Sequence, residues 1–125
     1  MSIAARLGLA AVLLAGPAGC IEPWACTLQL EAGIALRVAD EAGRPVAATV
    51  TIAEGDYVEI YGPDDGFDGL YHGADERAGT YEIEIIADGY QPVSYDGVEV
   101  EDDGCHVRTV ELEVVMVATT TTPQP

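Results

Sequence analysis

Apolar and polar residues alternate along several short stretches of this chain, with the period of a half-buried β-strand. The clearest stretch covers 79–90, where Tyr81, Ile83 and Ile85 share one face and acidic side chains occupy the other. A glycine bounds the alternation on each side, which is typical of strands that end in turns. We therefore predict that this stretch is a central strand of a small antiparallel β-sandwich.

The same alternation predicts six further strands, separated by Gly, Pro and acidic turn residues. In four of them the residues predicted to share the apolar face are Ile34, Leu36 and Val38; Val46, Ala48, Val50 and Ile52; Val58 and Ile60; and Val110, Leu112 and Val114. The other two are short, one over 93–95 and one that contains Val98 and Val100. Residues 62–78 show no period and predict a long loop, which is either functional or mobile. Seven short strands with this turn spacing indicate an all-β sandwich.

The first nineteen residues have the pattern of a secretion signal. Arg6 precedes a short apolar run over 7–15, and small residues then lead to Cys20. The apolar run is too short to span a bilayer as a mature helix. The sequence Ala18-Gly19-Cys20 resembles a bacterial lipoprotein lipobox, which implies that Cys20 is acylated and becomes the mature N-terminus.

We accordingly divide the chain into a signal peptide (1–19), a lipid-anchored tether (20–33), a sandwich (34–117) and a disordered Thr- and Pro-rich tail (118–125). Ile21 stands where an inner-membrane retention signal would have Asp. The resemblance therefore implies an outer membrane lipoprotein that faces the periplasm or the cell surface. A secreted or soluble periplasmic protein is the alternative.

Lipidation of Cys20 would leave Cys26 and Cys105 as a pair. An exported protein meets an oxidising compartment, so we predict a disulfide between them, with two free thiols as the alternative. The bond would tie the tether to the last hairpin. In the chain-entropy model a loop of that size stabilises the fold by about 4 kcal/mol.

The charge of the chain is strongly negative. It carries five basic and 22 acidic side chains, for a net charge of −17. Removal of 1–19 would leave four arginines against the same 22 acids, a charge of −18. Such a surface repels phosphate backbones and excludes nucleic-acid binding, but it attracts cations and basic partners.

Three segments resemble a known family: Val38-Ala39-Asp40-Glu41-Ala42-Gly43-Arg44-Pro45-Val46, Ala78-Gly79-Thr80-Tyr81 and Ala87-Asp88-Gly89-Tyr90-Gln91-Pro92. They are similar to the turns and strands of the carboxypeptidase regulatory-like domain. The resemblance implies a transthyretin-like (prealbumin-like) Greek-key sandwich of about seven strands, used as an accessory module without catalytic groups. Gly43 and Gly89 permit the positive φ angles that such turns require.

The sequence offers no catalytic motif that we can identify. Its two histidines, His72 and His106, belong to no H-E-x-x-H pattern, and no G-x-S-x-G is present. We therefore predict a protein that is not an enzyme and has no cofactor, and we assign His106 a structural role within a strand.

The loop over 62–76 carries the candidate ligand-binding residues Asp64, Asp65, Asp68 and Tyr71. The three carboxylates could bind calcium, although their spacing does not match an EF-hand, and the alternative is a solvated acidic loop. Tyrosines close to the loop could stack on a sugar or a peptide, and packing at a strand edge is the alternative.

These patterns together predict a non-catalytic, lipid-anchored envelope protein that acts as a structural or protein-interaction module. The expected partners are the membrane, reached through the lipid, and an envelope protein. The alternative function is a ligand-binding module that recognises calcium, carbohydrate or a basic peptide through the loop over 62–76.

Overall fold

The computed structural model describes residues 26–120, which form seven β-strands and no helix. The strands are β1 (Ile34–Asp40), β2 (Thr49–Glu54), β3 (Tyr57–Tyr61), β4 (Leu70–Gly73), β5 (Gly79–Ile86), β6 (Val93–Val100) and β7 (Val110–Met116). No helix in this part of the chain is long and apolar enough to cross a bilayer. The predicted signal peptide, Cys20 and residues 121–125 of the predicted tail lie outside the described residues.

The strands form two sheets that pack face to face, as the alternation predicts. One sheet has the order β4-β1-β7 and the other the order β3-β2-β5-β6. The prediction of a fully antiparallel sandwich is wrong for one pair of strands. β1 and β7 run parallel, with Ile34 opposite Val110 and Asp40 opposite Met116. Parallel neighbours need a long crossover, and the chain supplies it by building the other strands in between.

The strand predicted over 79–90 is confirmed as the interior strand β5. It lies between β2 and β6, and Tyr81, Ile83 and Ile85 are buried while its glutamates are exposed. β1 has the equivalent interior position in the other sheet. Buried side chains from both sheets form one core. Burial of apolar area is the main force that holds the two layers together.

The third strand presents the opposite face to the one predicted. Val58 and Ile60 are 50% and 65% exposed, whereas Glu59 and the two tyrosines of β3 face inward. Glu59 lies opposite Ile52, which is fully buried, and residues that lie opposite each other share a face of the sheet. The register with β2 therefore determines the orientation of β3, and it overrides the hydrophobicity of Val58 and Ile60.

The region predicted as one long loop contains a strand, β4. It pairs antiparallel with β1, with Ile34 opposite Gly73 and Arg37 opposite Leu70. Its two buried positions are Tyr71 and Gly73. Glycine has no side chain and so gives no hydrophobic signal in the sequence. The four residues of β4 therefore have only one apolar side chain that points inward, and the sequence shows no alternation there.

Three element boundaries also differ from the prediction. β2 begins at Thr49, because Val46 still bonds to Val38 in the other sheet and the chain must first cross between layers. The two short strands predicted over 93–100 form the single strand β6, which has a bulge in its pairing with β5. The last strand begins at Val110, so His106 lies in a loop and not in a strand.

The two glycine turns form as expected. Gly43 and Gly89 have φ angles of 83° and 84°, a region that favours glycine. At the first of these turns, Asp40 Oδ1 accepts hydrogen bonds from the backbone N–H groups of Ala42 and Arg44, each at 2.9 Å. The carboxylate therefore organises the connection that leads from β1 toward β2.

Candidate functional site

The predicted acidic loop does not bring its carboxylates together. Asp64, Asp65 and Asp68 are all exposed, and Asp65 Oδ2 accepts a hydrogen bond from the Gly62 N–H at 2.6 Å. Asp68 has a φ of 52° in the turn that precedes β4. Nowhere in residues 26–120 do three His, Cys, Asp or Glu side chains gather in a way that could hold a metal ion.

Tyr71, the fourth candidate in this loop, belongs to the core. It is 2% exposed, and its hydroxyl accepts from the Ala48 N–H at 2.8 Å and donates to the Ala48 carbonyl at 3.0 Å. These bonds satisfy the backbone where the chain crosses from one sheet to the other. The ring is therefore buried and unavailable for stacking on a ligand, whereas Phe67 in the same loop is exposed.

The predicted disulfide between Cys26 and Cys105 is confirmed, with the two Cα atoms 5.1 Å apart. It joins the segment before β1 to the connection between β6 and β7. Asp103 shapes that connection, because its Oδ1 accepts from the backbone N–H groups of Cys105 and His106, each at 2.9 Å. The same two bonds hold the pKa of Asp103 below its usual value.

A second cross-link lies beside the disulfide and was not predicted. Nδ1 of His106 is 2.5 Å from Oε2 of Glu76, and Nε2 is 2.9 Å from Oγ1 of Thr27. Glu76 also accepts from the backbone N–H groups of Glu31 and Val107. We call Cys26, Thr27, Glu76, Cys105 and His106 the disulfide corner.

Hydrogen bonding at the disulfide corner changes two pKa values in opposite directions. The Glu76 carboxylate raises the pKa of His106, and the imidazole is the main cause of the lowered pKa of Glu76. Burial opposes both shifts but is outweighed. Each partner therefore stabilises the charged form of the other, as expected for an ion pair.

A cation–aromatic cluster lies next to the disulfide corner, where Arg77 contacts the residues on either side of the β2–β3 turn. The Arg77 guanidinium lies 3.7 Å from the centre of the Tyr57 ring and donates to Glu54 Oε1 at 2.8 Å. The second oxygen of Glu54 accepts from the Thr80 N–H at 2.7 Å. This backbone bond, followed by the bond from Arg77, lowers the pKa of Glu54.

Glu59 binds the remaining groups on this side of the sandwich. Its carboxylate accepts from the hydroxyls of Tyr57 and Tyr61 and from the backbone N–H of Ala74, whose nitrogen lies 3.0 Å from Oε2. The bond to Glu59 is the main reason that the pKa of Tyr57 rises to about 12. Burial, and then the same carboxylate, raise the pKa of Tyr61.

The outer face of the three-stranded sheet carries an open groove of about 540 Å³. Its base is the small side chain of Ala35, which lies opposite His72 on β4 and Glu111 on β7. The residues that line the groove are Leu30, Glu31, Ala32, Ala35, His72, Asp75, Thr109 and Glu111. Three carboxylates and one imidazole make this groove electronegative, which fits a basic ligand better than an anionic one.

Sequence reasoning predicted the disulfide but missed the contacts of His106 with Glu76 and Thr27, and it missed the groove for the same reason. Each draws its side chains from several segments, and the Glu76–His106 contact joins residues 30 positions apart. The nearest sequence signal is the adjacency of His106 to Cys105, which places an imidazole next to the predicted disulfide.

Comparison with known proteins does not assign the chain to a family. No protein-family model matches it, and no curated protein is significantly similar to it.

Proposed function

We propose that this chain is a non-catalytic, lipid-anchored protein of the bacterial cell envelope that acts as a structural or protein-interaction module. The observation that carries the proposal is the Cys26–Cys105 disulfide, which is typical of proteins that fold in an oxidising compartment. It agrees with the secretion signal and the lipobox-like Ala18-Gly19-Cys20 in the sequence.

We further propose that the sandwich is of the Greek-key, transthyretin-like type found in carboxypeptidase regulatory-like domains. Support comes from the seven strands in sheets of three and four, together with the positive φ angles at Gly43 and Gly89. These two glycines lie in the turn segments that carry the sequence resemblance. Such a module contributes surface and spacing to an assembly, without a reaction centre.

The disulfide would also position the domain relative to a lipid on Cys20. Cys26 lies six positions after Cys20, so the Cα atoms of the two residues can be at most about 22 Å apart when the chain is fully extended. The disulfide corner is therefore the end of the sandwich nearest the membrane in the lipidated protein. The opposite end, which carries the turns at Gly43 and Gly89 and the loop that precedes β4, points toward partners.

The anchor is tested by replacing Cys20 and following where the protein fractionates. We expect the wild-type protein to partition with membranes and to incorporate labelled palmitate, and Cys20→Ala to do neither. A matched Cys26→Ala variant, which removes the disulfide but leaves Cys20, should remain in the membrane fraction. Unchanged membrane partitioning of Cys20→Ala would contradict the anchor.

A ligand-binding module is the second candidate, and the electronegative groove favours one of its forms. Glu31, Asp75 and Glu111 line that groove, so a basic peptide is the supported ligand class. Titration of the purified protein with a short arginine peptide tests this form. Weaker binding by Glu111→Gln than by Glu99→Gln, which changes an exposed glutamate on the other sheet, would support it.

A further inference from the structure

The sandwich has unequal sheets, and this leaves one side incompletely covered. β7 is an edge strand of the three-stranded sheet and β6 is an edge strand of the four-stranded sheet. The two edges lie on the same side, because the Gln91 N–H just before β6 donates to the Val117 carbonyl just after β7, at 2.8 Å. We call this the β6–β7 side.

Inward-facing apolar residues on this side remain partly exposed. They pack against the core without being fully buried, unlike Leu36 on β1 or Ile83 on β5, which are each 1% exposed. The half-buried residues are Val93, Tyr95, Val98, Val110 and Leu112. The opposite side is different, because there Glu59 joins β3 to the N–H of Ala74 just after β4.

Within residues 26–120, no strand pairs with the outer edge of β7, so one row of its backbone hydrogen-bonding groups is left open. The Val110 N–H donates to the Gly33 carbonyl at 2.8 Å, on the side of β1. Backbone groups of successive residues in a strand point to alternate sides, so those of Glu111, Glu113 and Val115 point to the open edge. Such an edge is a template for one more strand.

Charge determines which strand fits. Glu111 and Glu113 are exposed on the outer face of β7, and Glu111 lines the electronegative groove. Glu113 Oε1 lies 3.7 Å from Arg37 Nε on β1, but both side chains are mostly exposed, and such a surface pair is weak enough to be exchanged for a basic residue of a partner. A second copy of this chain is a poor occupant, because symmetric pairing centred on Leu112 or Glu113 would place glutamates opposite each other. The net charge of −17 adds to that repulsion.

We propose that the edge of β7 binds an extended segment of another protein by strand addition. The segment has basic residues opposite Glu111 and Glu113, and apolar residues at the alternate positions that pack against the half-buried residues of the β6–β7 side. Main-chain hydrogen bonds supply affinity and the alternate side chains supply specificity. The inference rests on the proposed role of the chain as a protein-interaction module.

The test uses a fluorescein-labelled peptide of alternating lysine and valine, Lys-Val-Lys-Val-Lys-Val-Lys, and the purified full-length protein. We expect saturable binding by fluorescence anisotropy and at least about tenfold weaker binding of the matched Glu-Val peptide. Equal binding of the two peptides would overturn the proposed charge recognition.

Two methylated peptides test the main-chain pairing on the wild-type protein. One carries N-methyl groups on the inner lysine amides and the other on the valine amides, so each blocks the donors along one edge of the peptide. We expect only one of them to lose binding, and which one does so reports whether the added strand is antiparallel or parallel. Equal effects of the two methylation patterns would overturn strand addition.

A variant pair locates the edge. Glu113→Pro removes an N–H that points to the open edge and leaves the ladder with β1 intact, whereas Glu113→Ala removes only the carboxylate. We expect binding to be about tenfold weaker for Glu113→Pro than for Glu113→Ala, with unchanged β-sheet circular dichroism. Equal affinities would place the peptide elsewhere.

The outcome is separable from that of the anchoring experiment. A soluble Cys20→Ala protein that still binds the Lys-Val peptide supports the edge and removes only the anchor. Envelope proteins captured equally by the wild type and by Glu113→Pro would overturn the edge and leave the interaction role standing. Self-association of the wild type that Glu113→Pro abolishes would replace the foreign segment with a second copy and overturn the proposal.

Discussion

The Glu76 carboxylate lies 2.5 Å from Nδ1 of His106. Cys105, the residue before that histidine, forms the disulfide with Cys26. An ion pair and a covalent bond thus fasten the same loop to two different segments. The disulfide joins this loop to the residues before β1, and the ion pair joins it to Glu76 in the connection between β4 and β5. Three segments distant in sequence are fixed at one corner of the sandwich.

The ion pair should make stability depend on pH. The folded pKa of His106 is raised from 6.5, so its contribution is complete below about pH 6.5 and is lost as the pH rises through the folded value. The folded pKa of Glu76 is lowered from 4.5, so its contribution is present above about pH 4.5 and is lost as the pH falls through the folded value. Both contributions are complete between these limits.

We therefore expect His106→Gln to lose most stability relative to the wild type between about pH 4.5 and pH 6.5, and less on either side. Urea unfolding at a series of pH values measures the difference. His72→Gln is the control, because it removes the other imidazole from the exposed face of β4. Parallel stability curves for wild type and His106→Gln would contradict the ion pair.

The disulfide should be the largest single covalent contribution to stability. It closes a loop between residues separated by 79 positions, for which the chain-entropy model gives about 4 kcal/mol. We expect the free energy of unfolding of the Cys26→Ser/Cys105→Ser double variant to be lower than that of the oxidised wild type by that amount. The double variant should therefore unfold at a lower urea concentration. Wild-type protein in excess reductant is the control and should behave like the double variant.

Tyr71 should contribute to stability and not to ligand binding. Tyr71→Phe removes the hydroxyl that bonds to both the N–H and the carbonyl of Ala48 and leaves those buried groups without that partner. We expect a loss of about 1–3 kcal/mol in the free energy of unfolding. Tyr95→Phe, on the half-buried face of β6, should cost less, and equal losses would argue against the special role of Tyr71.

Gly66 should be required because the Tyr71 ring lies against its Cα. A Cβ at this position would be 2.4 Å from Cζ of that ring, closer than side chains can pack. We expect Gly66→Ala to destabilise the protein by about 1–3 kcal/mol, as overpacking does. In Gly62→Ala the nearest atom would be Oδ2 of Asp65 at 3.6 Å, an ordinary contact, so this variant should melt close to the wild type.

The acidic loop should not respond specifically to calcium. Asp64, Asp65 and Asp68 are exposed and belong to no group of three ligands within residues 26–120. We expect the melting temperature to be the same in millimolar calcium and in chelator. An increase with calcium that Asp65→Asn abolishes, while Asp56→Asn does not, would restore the calcium-binding alternative.

The sequence by itself determined the all-β class, the interior strand β5 and the disulfide. Strict alternation over Tyr81, Ile83 and Ile85 has only one extended solution that buries its apolar face. The glycine turns at Gly43 and Gly89 could be read from local backbone sterics. The Cys26–Cys105 bond followed from the number of cysteines and the predicted compartment. These features depend on neighbouring residues or on composition.

Only the tertiary structure decided the orientation of β3, the strand β4 and the parallel pairing of β1 with β7. Glu59 faces inward because buried Ile52 lies opposite it and because two tyrosine hydroxyls and the Ala74 N–H bind its carboxylate. The Glu76–His106 pair and the open edge of β7 likewise arise when separate segments meet. No local period encodes such contacts, since their energy depends on partners that only the completed fold supplies.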